Sequence, residues 1–445
     1  MLTIYAATWV LPAVFPPIAD GAIAIEGSKI LGAGTRTALL QKYPSAHLKT
    51  FNDCAIIPGL VNAHSHLELT AMRGYLEKEE TDFFAWLRKL TVARLERMSL
   101  DDIYVSAMWG ACEALRAGVT CVADASDVAV RSIRALKDVG LRGIVFQESF
   151  GPDPNLVNEN FQKLKVKISE LRELESDLVK VGVSPHAPYT VCGKQLELIA
   201  DYAQTEELPL MMHAAESAAE ESLIREGCGI FAEGFVKRNI HWSAPKVSVI
   251  QYLRDRQILE TQPLLAHCIR VDESDLEILA ETKTKIAHCP KSNAKLGHGR
   301  APFGAFLQKG IDVGLGSDSV ASNNTCDILE EARFAALLGR LDAPISADQV
   351  FSAATIGGAR CLKLGNTIGQ LSEGGVADFA VLSLQGAHQL PVYDPVVAAI
   401  FSSSGRDVVM TVVAGREVFR DGVIENVDEE RLRARMSEVR LKLSE

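Results

Sequence analysis

Short apolar runs rich in β-branched residues alternate with longer helical stretches through the middle of the chain, from residue 56 to about 318. A repeated strand-then-helix pattern is typical of β-α units around a parallel sheet. Eight runs fit the strand pattern: AIIPGLVNAH, VTCVADAS, GIVFQES, VKVGVSPH, LPLMMHAAE, PLLAHC, TKIAHC and DVGLGSD. Eight strands, each followed by a helix, close a TIM barrel, so the pattern predicts an α/β fold with a (β/α)8 barrel.

The stretches between these runs carry the end signals of globular helices. DDIYVSAMWGACEALRAG predicts a helix with Asp101 as its N-cap and Gly118 as its stop. The last helices of the barrel are predicted over 324–339 and 346–362.

Both ends of the chain have a different pattern. Residues 1–57 are short alternating runs separated by proline and glycine, which is typical of a small antiparallel sheet, and 376–384 and 408–419 have the same character. We therefore expect a small β-sandwich domain built from 1–57 and 371–445, the latter including a terminal helix. The barrel domain, 58–370, is expected between the two parts.

Composition narrows the class of protein. Hydrophobic residues make up 47% and charged residues 23%, the balance of a soluble protein with a large core. A formal net charge of -11 repels phosphate backbones and anionic lipid, so nucleic acid and membranes are not expected partners. The nine cysteines form no C-x-x-C pair, which argues against a disulfide scaffold and a thiolate zinc site. With no signal-peptide pattern at the start, we expect a cytoplasmic protein.

Polar side chains follow six of the eight predicted strands. The C-terminal ends of barrel strands form the active-site face, so these side chains are expected to lie on one face. They are His64 and His66, His186, His213, His267, His288 and Asp318.

The spacing of these residues indicates metal chemistry. His64 and His66 are two apart, so in extended chain both imidazoles can face one ion, although a hydrogen-bonded pair at a loop edge is the alternative. Glu216 follows His213 by three residues, a suitable offset for a proton carrier beside a ligand; a first-turn acid stabilised by the helix dipole is the alternative. For Asp318 the alternatives are a metal-facing carboxylate and an N-cap.

As a set, PGLVNAHSH, HAAES, AHC, HCPKSN, LGSDSVASNN and GGVADFAVL resemble the amidohydrolase superfamily, in the branch of cytosine deaminases, chlorohydrolases and S-adenosylhomocysteine/methylthioadenosine deaminases. The resemblance covers nearly the whole chain. It implies that one divalent metal, zinc or alternatively iron, is bound by His64, His66, His213 and Asp318. It also implies that His267 hydrogen-bonds the metal-bound water and that Glu216 shuttles protons.

The chemistry of these residues agrees with that resemblance. A metal held by three imidazoles and one carboxylate lowers the pKa of bound water toward roughly 7 and makes hydroxide available. Attack on an amine-bearing ring carbon needs protons on the ring nitrogen and on the leaving amine, tasks that Glu216 and Asp318 could divide. Dinuclear members of the superfamily carry a carboxylated lysine at the end of strand four, where this chain has His186, so one metal is predicted.

Other residues are candidates for substrate contact. His186 resembles a substrate-contacting histidine of the branch, and Trp86 an aromatic residue that roofs the pocket; a loop-orienting histidine and a core tryptophan are the alternatives. Arg94 stands near the position where enzymes acting on S-adenosylhomocysteine usually hold the ribose hydroxyls with a glutamate. The stretches HSHLEL, FFAWL and GRAPFG look more like 6-aminodeoxyfutalosine deaminases, whose aryl carboxylate substrate could pair with Arg88 or Arg94. The alternative for Arg94 is a solvated helix charge.

The remaining polar candidates receive structural interpretations. His288, Ser292 and Asn293 resemble a strand-seven signature that shapes the pocket. Residues without an evident partner in the sequence are interpreted as surface or structural histidines: His47, His241, His298 and His388.

The sequence therefore predicts a metal-dependent hydrolytic deaminase of an adenine-type nucleoside. 6-Aminodeoxyfutalosine is the first choice of substrate, followed by S-adenosylhomocysteine, methylthioadenosine and adenosine. The alternatives are a guanine or cytosine deaminase and a triazine dechlorinase; a non-enzymatic paralogue is disfavoured because no ligand is missing. The expected partner is a small nucleoside-like molecule, and the assembly state is open, with a homo-oligomer as one option.

Overall fold

The computed structural model describes residues 1–444, which form sixteen strands. In chain order they are β1 (Leu2–Val10), β2 (Ile18–Glu26), β3 (Lys29–Thr35), β4 (His47–Pro58), β5 (Leu60–Ser65), β6 (Val119–Ser126), β7 (Arg142–Ser149), β8 (Val179–Pro185), β9 (Met211–Ala214), β10 (Leu264–His267), β11 (Lys285–His288), β12 (Val313–Leu315), β13 (Phe379–Ser383), β14 (Val408–Val413), β15 (Arg416–Arg420) and β16 (Val423–Ile424).

The same residues contain the α-helices. In chain order they are α1 (Arg36–Lys42), α2 (Phe83–Arg97), α3 (Leu100–Arg116), α4 (Ala129–Val139), α5 (Val157–Arg172), α6 (Gly193–Thr205), α7 (Ala218–Arg225), α8 (Ile230–Lys237), α9 (Val249–Asp255), α10 (Glu273–Glu281), α11 (Pro290–Lys295), α12 (Phe303–Gln308), α13 (Val320–Asn323), α14 (Ile328–Gly339), α15 (Ala347–Ser352), α16 (Gly358–Cys361), α17 (Pro395–Val397) and α18 (Glu429–Ser444). Across residues 1–444, no helix combines the length and the apolar character needed to cross a membrane.

Strands β5 to β12 form the predicted (β/α)8 barrel. Strands β5 to β8 pair in parallel in chain order, and so do β9 to β12. Parallel bridges Val183↔Leu210 and Ser65↔Asp318 join the two halves and close the circle. Each of the eight predicted runs contributes one strand, so the C-terminal strand ends meet on one face.

The first predicted run is divided between two sheets. Its first part belongs to β4, which pairs with β13, and β5 begins at Leu60. At Gly59, between the two strands, a Cβ atom would lie 1.9 Å from Thr120 Oγ1. Only glycine can occupy this close passage from the outer sheet into the barrel.

The two ends of the chain form one eight-stranded sheet, in the order β16-β15-β14-β13-β4-β1-β2-β3. Apolar side chains from both ends share a core, among them Tyr5, Ile56 and Phe379. The antiparallel sheet expected for residues 1–57 is found for the pairs β1–β2 and β2–β3, but not for β1 and β4, which are parallel. Helix α1 crosses between β3 and β4, and this crossover lets β4 run in the direction of β1.

Helix α3 begins earlier than predicted. Ser99 is its N-cap: the Ser99 Oγ accepts from the backbone N–H of Asp102 at 3.2 Å, and the Asp102 carboxylate accepts from the backbone N–H of Ser99 at 2.9 Å. This capping box satisfies two N–H groups at once, which Asp101 could not do. Gly118, with φ +81°, follows the helix end as predicted.

Candidate active site

The strand-end residues meet in one buried cluster at the C-terminal face of the barrel. The Nε2 atoms of His66 and His213 are 3.1 Å apart. Asp318 Oδ1 lies 3.6 Å from His64 Nε2 and 3.7 Å from His66 Nε2. One ligand-type atom from each of His64, His213 and His267 also lies within 4.8 Å of the others. Five of the residues expected to converge therefore do so.

The donor set fits a divalent metal. Burial lowers the pKa of His66 to about 3 and lowers the pKa of His64, so both imidazoles are neutral. Burial alone would raise the pKa of Asp318, but the imidazoles of His64, His267 and His66 around it hold that pKa well below its usual range. His64 Nε2 is buried without a hydrogen-bond partner in the part of the chain that the structure describes, and a divalent metal would supply the interaction that this buried nitrogen needs.

Hydrogen bonds behind the cluster fix the orientation of its side chains. His213 Nδ1 donates to the backbone oxygen of His186 at 2.8 Å, which leaves His213 Nε2 free to face the cluster. His267 Nδ1 donates to Asn293 Oδ1 at 2.9 Å, and Ser292 Oγ donates to Asp318 Oδ2 at 2.6 Å. Ser292 and Asn293 thus hold site residues in place.

The backbone at the site is strained. His267 has φ +74° and Asp318 has φ +55°, both in the left-handed region that non-glycine residues seldom adopt. Each such residue costs of the order of 1 kcal/mol, which the surrounding structure must supply. The strain turns both side chains from the strand ends toward the cluster.

Glu216 lies beside this cluster and is 5% exposed. Burial, and then the nearby Asp318 carboxylate, raise the pKa of Glu216 to about 8. Its Oε1 atom is 3.7 Å from His267 Nε2 and also 3.7 Å from His298 Nε2. A carboxyl group with this pKa can carry a proton at neutral pH and release it during a reaction.

Of the two interpretations given for His298, surface or structural, the surface interpretation is wrong. Its side chain is 8% exposed and packs edge-on against Phe83, with ring centroids 4.6 Å apart. Gly297 and Gly299, with φ +68° and +111°, turn the loop so that His298 reaches Glu216. The glycines on both sides were the signal in the sequence. His388, by contrast, lies at the surface as predicted, 3.1 Å from Asp407.

His288 does not join the cluster. Its ring stacks on Phe303 with centroids 5.3 Å apart, and it is not among the residues that line the cavity. Of the polar strand ends, this one has a packing role beside the site.

A cavity of about 740 Å³ opens above the cluster, a volume typical of small-molecule sites. His186 lines it, with Nδ1 2.9 Å from Thr190 Oγ1. Trp86 also lines it, and the buried Trp86 Nε1 has no hydrogen-bond partner within residues 1–444. Both residues therefore border the cavity.

Arg94 lines the same cavity but is not the solvated charge of the alternative interpretation. Its side chain is 11% exposed, and its guanidinium lies 3.1 Å from both Glu68 Oε1 and Asp127 Oδ2. The guanidinium is thus already engaged by two carboxylates. No local pattern predicts this arrangement, because Glu68 and Asp127 lie outside the helix that carries Arg94.

The mouth of the cavity lies between helices α2 and α8. Phe83 and Leu87 of α2 pack against the apolar cluster that contains Phe231 and Phe235 of α8. Three cations line the mouth as well, and none of them has an ion-pair partner in the described part of the chain: Arg88, Lys237 and Arg238. The entrance is therefore both aromatic and positively charged.

Known proteins resemble this chain in sequence and in fold. Residues 55–418 match the amidohydrolase family. A 5-methylthioadenosine/S-adenosylhomocysteine deaminase of Pyrococcus horikoshii is 32% identical over 386 residues, which are 85% of this chain and 86% of the relative. A zinc-bound adenosine deaminase from Xanthomonas campestris superposes with a TM-score of 0.88 at 24% identity, over 99% of this chain and 98% of its own. Helicobacter pylori aminofutalosine deaminase superposes with a TM-score of 0.78 at 20% identity, over 94% and 100% of the chains.

Proposed function

Since this chain belongs to the amidohydrolase family and is a hydrolase acting on carbon–nitrogen bonds, we propose that it deaminates an adenine-type nucleoside. The observation that carries this proposal is the position of Glu216. Its carboxyl group lines the same cavity as His66, His213 and Asp318, so a proton carrier and a metal-type donor set face one bound molecule.

The residues that would hold a single divalent metal are His64, His66, His213 and Asp318. Zinc is the first choice and iron the alternative; three neutral imidazoles with one carboxylate suit either. When bound, the metal lowers the pKa of water and supplies a nucleophile at neutral pH. Glu148, His186 and His213 also approach one another within 4.8 Å, but the single free nitrogen of His213 already faces the first group. This supports one metal per chain.

The chain's own residues divide the proton transfers. Glu216 holds a proton near neutral pH and can deliver it to the ring nitrogen of the substrate as the amine-bearing carbon becomes tetrahedral. Asp318 Oδ2 accepts from the hydroxyls of Ser292 and Ser322. Its Oδ1 accepts from the backbone N–H of Ser319, lies on the side of the cluster, and can take a proton from the attacking water and pass it to the departing amine. His267, held by Asn293, orients that water.

For the substrate itself, we propose 6-aminodeoxyfutalosine first, then S-adenosylhomocysteine, methylthioadenosine and adenosine. An aryl carboxylate matches an entrance that has aromatic side chains and unpaired cations. Because Arg94 is engaged by Glu68 and Asp127, the exposed Arg88 is the better placed lid arginine for the carboxylate. The sequence relative that is named a 5-methylthioadenosine/S-adenosylhomocysteine deaminase supports an adenine-type nucleoside in general, and the aminofutalosine deaminase shares the fold.

A substrate panel tests the proposal. Ammonia release is measured with the four nucleosides, guanine and cytosine, chloride release is measured with a chlorinated triazine, and kcat/KM is compared. We expect the highest value for aminodeoxyfutalosine. A higher value for S-adenosylhomocysteine would overturn the order of substrates but not the reaction, whereas activity confined to guanine, cytosine or the triazine would overturn the adenine assignment.

A further inference from the structure

A buried carboxyl group in the cavity has no role in the reaction described above. Glu148 stands near the end of β7, is 5% exposed and lines the cavity. Its Oε1 atom is buried and has no hydrogen-bond partner within residues 1–444. The nearest basic nitrogen, His186 Nε2, is 4.0 Å away. Leaving such a group unpaired is costly, so a missing partner is expected at this place.

Glu148 lies beside the catalytic cluster, since one ligand-type atom from each of Glu148, His186 and His213 lies within 4.8 Å of the others. The His186 and His213 rings have centroids 4.6 Å apart, and Glu148 Oε1 lies 4.0 Å from His186 Nε2. A molecule that reacts beside His213 and Glu216 therefore also borders the wall formed by His186 and Glu148. In an adenine nucleoside, the portion that can offer hydroxyl groups to this wall is the sugar.

The neighbours of Glu148 exclude an anion as its partner. Arg94, the cation on this wall, is already engaged by Glu68 and Asp127 at 3.1 Å each. Burial and the neighbouring carboxylates raise the pKa of Glu148 well above its usual range, opposed by Arg94. Three carboxyl groups around one guanidinium suit a ligand that brings hydrogen-bond donors without negative charge. A carboxylate-bearing tail fits the cationic mouth instead.

We propose that Glu148 binds the vicinal hydroxyls of the substrate's ribose and so determines specificity for a ribonucleoside. The two oxygens of one carboxyl group can take two adjacent hydroxyls in a bidentate arrangement. If the carboxyl is protonated, it donates one hydrogen bond to the diol and accepts the other. This inference rests on the proposed deamination of an adenine nucleoside.

The test compares adenosine with 2′,3′-dideoxyadenosine, which lacks both hydroxyls but keeps the reacting base. For the parent protein we expect kcat/KM to favour adenosine by about 10-fold to 100-fold, since a site built to bond a hydroxyl rejects the analogue without it. Glu148→Leu should bring the ratio close to one. Glu148→Gln, whose amide can still bond hydroxyls, should keep an intermediate ratio.

A matched control is Glu170→Leu on the exposed side of α5, which should keep the parent ratio. A parent protein that deaminates both nucleosides equally well would overturn the role of Glu148, even if no variant folded. So would an unchanged ratio in Glu148→Leu or, failing its purification, in Glu148→Gln. Absence of ammonia release from either nucleoside and from the rest of the substrate panel would instead refute the deaminase proposal itself, and the ribose site with it.

Discussion

The Nε2 atom of His298 lies 3.7 Å from the Oε1 atom of Glu216. His267 approaches the same oxygen at the same distance, so the carboxyl group stands between two imidazoles. Burial lowers the pKa of His298 to about 4 and also lowers the pKa of His267, so both rings are neutral near pH 7. They can position Glu216 without supplying the positive charge that would lower its raised pKa.

Replacement of His298 should therefore reduce the rate without removing binding. We expect His298→Ala to lower kcat by about 10-fold with a smaller change in KM, because the Glu216 carboxyl loses one of its two neighbours. His388→Ala at the surface is the control. The dependence of kcat on pH is a second measurement, which a purely structural role of His298 would leave unchanged. The part of this profile that reports the ionisation of Glu216 should shift. Parent-like kcat and pH profile would refute the positioning role.

Glu216→Gln should keep the fold and the metal content but lose turnover by about 10² to 10⁴, because an amide cannot shuttle protons. Glu277→Gln, on the exposed face of α10, is a control of the same chemistry. Turnover, circular dichroism and elemental analysis are measured on both variants. Parent-like turnover of Glu216→Gln would remove this residue from the mechanism.

Metal content should be close to one equivalent of zinc or iron per chain. His64→Ala should lower it strongly, since His64 Nε2 has no hydrogen-bond partner among residues 1–444 and is free to bind the metal. His288→Ala, which removes a strand-end histidine outside the cluster, should retain the metal. Elemental analysis that finds two tightly held metals, or equal loss in both variants, would contradict the assigned ligands.

The two lid arginines should behave differently. Arg88→Ala should lower kcat/KM selectively for carboxylate-bearing substrates, because Arg88 is exposed at the mouth. Arg94→Ala leaves the buried Glu68 carboxylate without its cation and should destabilise the protein by about 3 to 5 kcal/mol. Denaturant unfolding and the substrate panel separate these effects. Arg94 would be the carboxylate-binding residue if Arg94→Ala unfolded like the parent and lost only carboxylate-bearing substrates.

Stability should depend on pH through Glu331, away from the substrate. Burial raises its pKa to about 8, so the folded protein retains a proton that the unfolded chain releases above about pH 4.5. The contribution of Glu331 to the free energy of unfolding is therefore fully present below about pH 4.5 and is lost as the pH rises toward 8. Glu331→Gln should therefore gain stability relative to the parent between about pH 5 and 8.

Glu330→Gln is the matched comparison, measured by the same denaturant unfolding. The pKa of Glu330 is lowered, chiefly by hydrogen bonds from Lys291 and Thr325 against the effect of burial, so its contribution is lost only on acidification. The difference in free energy of unfolding between Glu330→Gln and the parent should stay constant between about pH 5 and 8. A constant difference for Glu331→Gln as well would show that its carboxyl ionises normally.

Local patterns were enough to predict the barrel and most of its cluster. Each strand was a short apolar run, and residues such as His213 and Asp318 directly follow those runs, so their place at the strand ends follows from the fold. Glu148 carries the same strand-end signal in GIVFQES. The ion pairs of Arg94 could not be predicted, since Glu68 lies 26 residues away and their contact depends on packing.

Loop geometry and crossovers account for the other differences. The position of His298 depends on positive φ angles at the glycines beside it, which no periodic pattern specifies. The parallel pairing of β1 with β4 depends on the path of a helical crossover rather than on the strands themselves. Both features depend on the path of the chain through loops and crossovers, which the sequence patterns do not specify.

The most direct test of the proposed deaminase measures how much adenine nucleoside is consumed and how much ammonia is released by one preparation of the protein. The protein is assayed as purified, after removal of metal by a chelator, and after zinc or iron is restored. We predict one ammonia for each adenine nucleoside consumed, loss of activity on metal removal, and recovery when about one equivalent per chain is added back. Adenine consumption without ammonia, or full activity in a metal-free protein that still binds the nucleoside, would contradict the account.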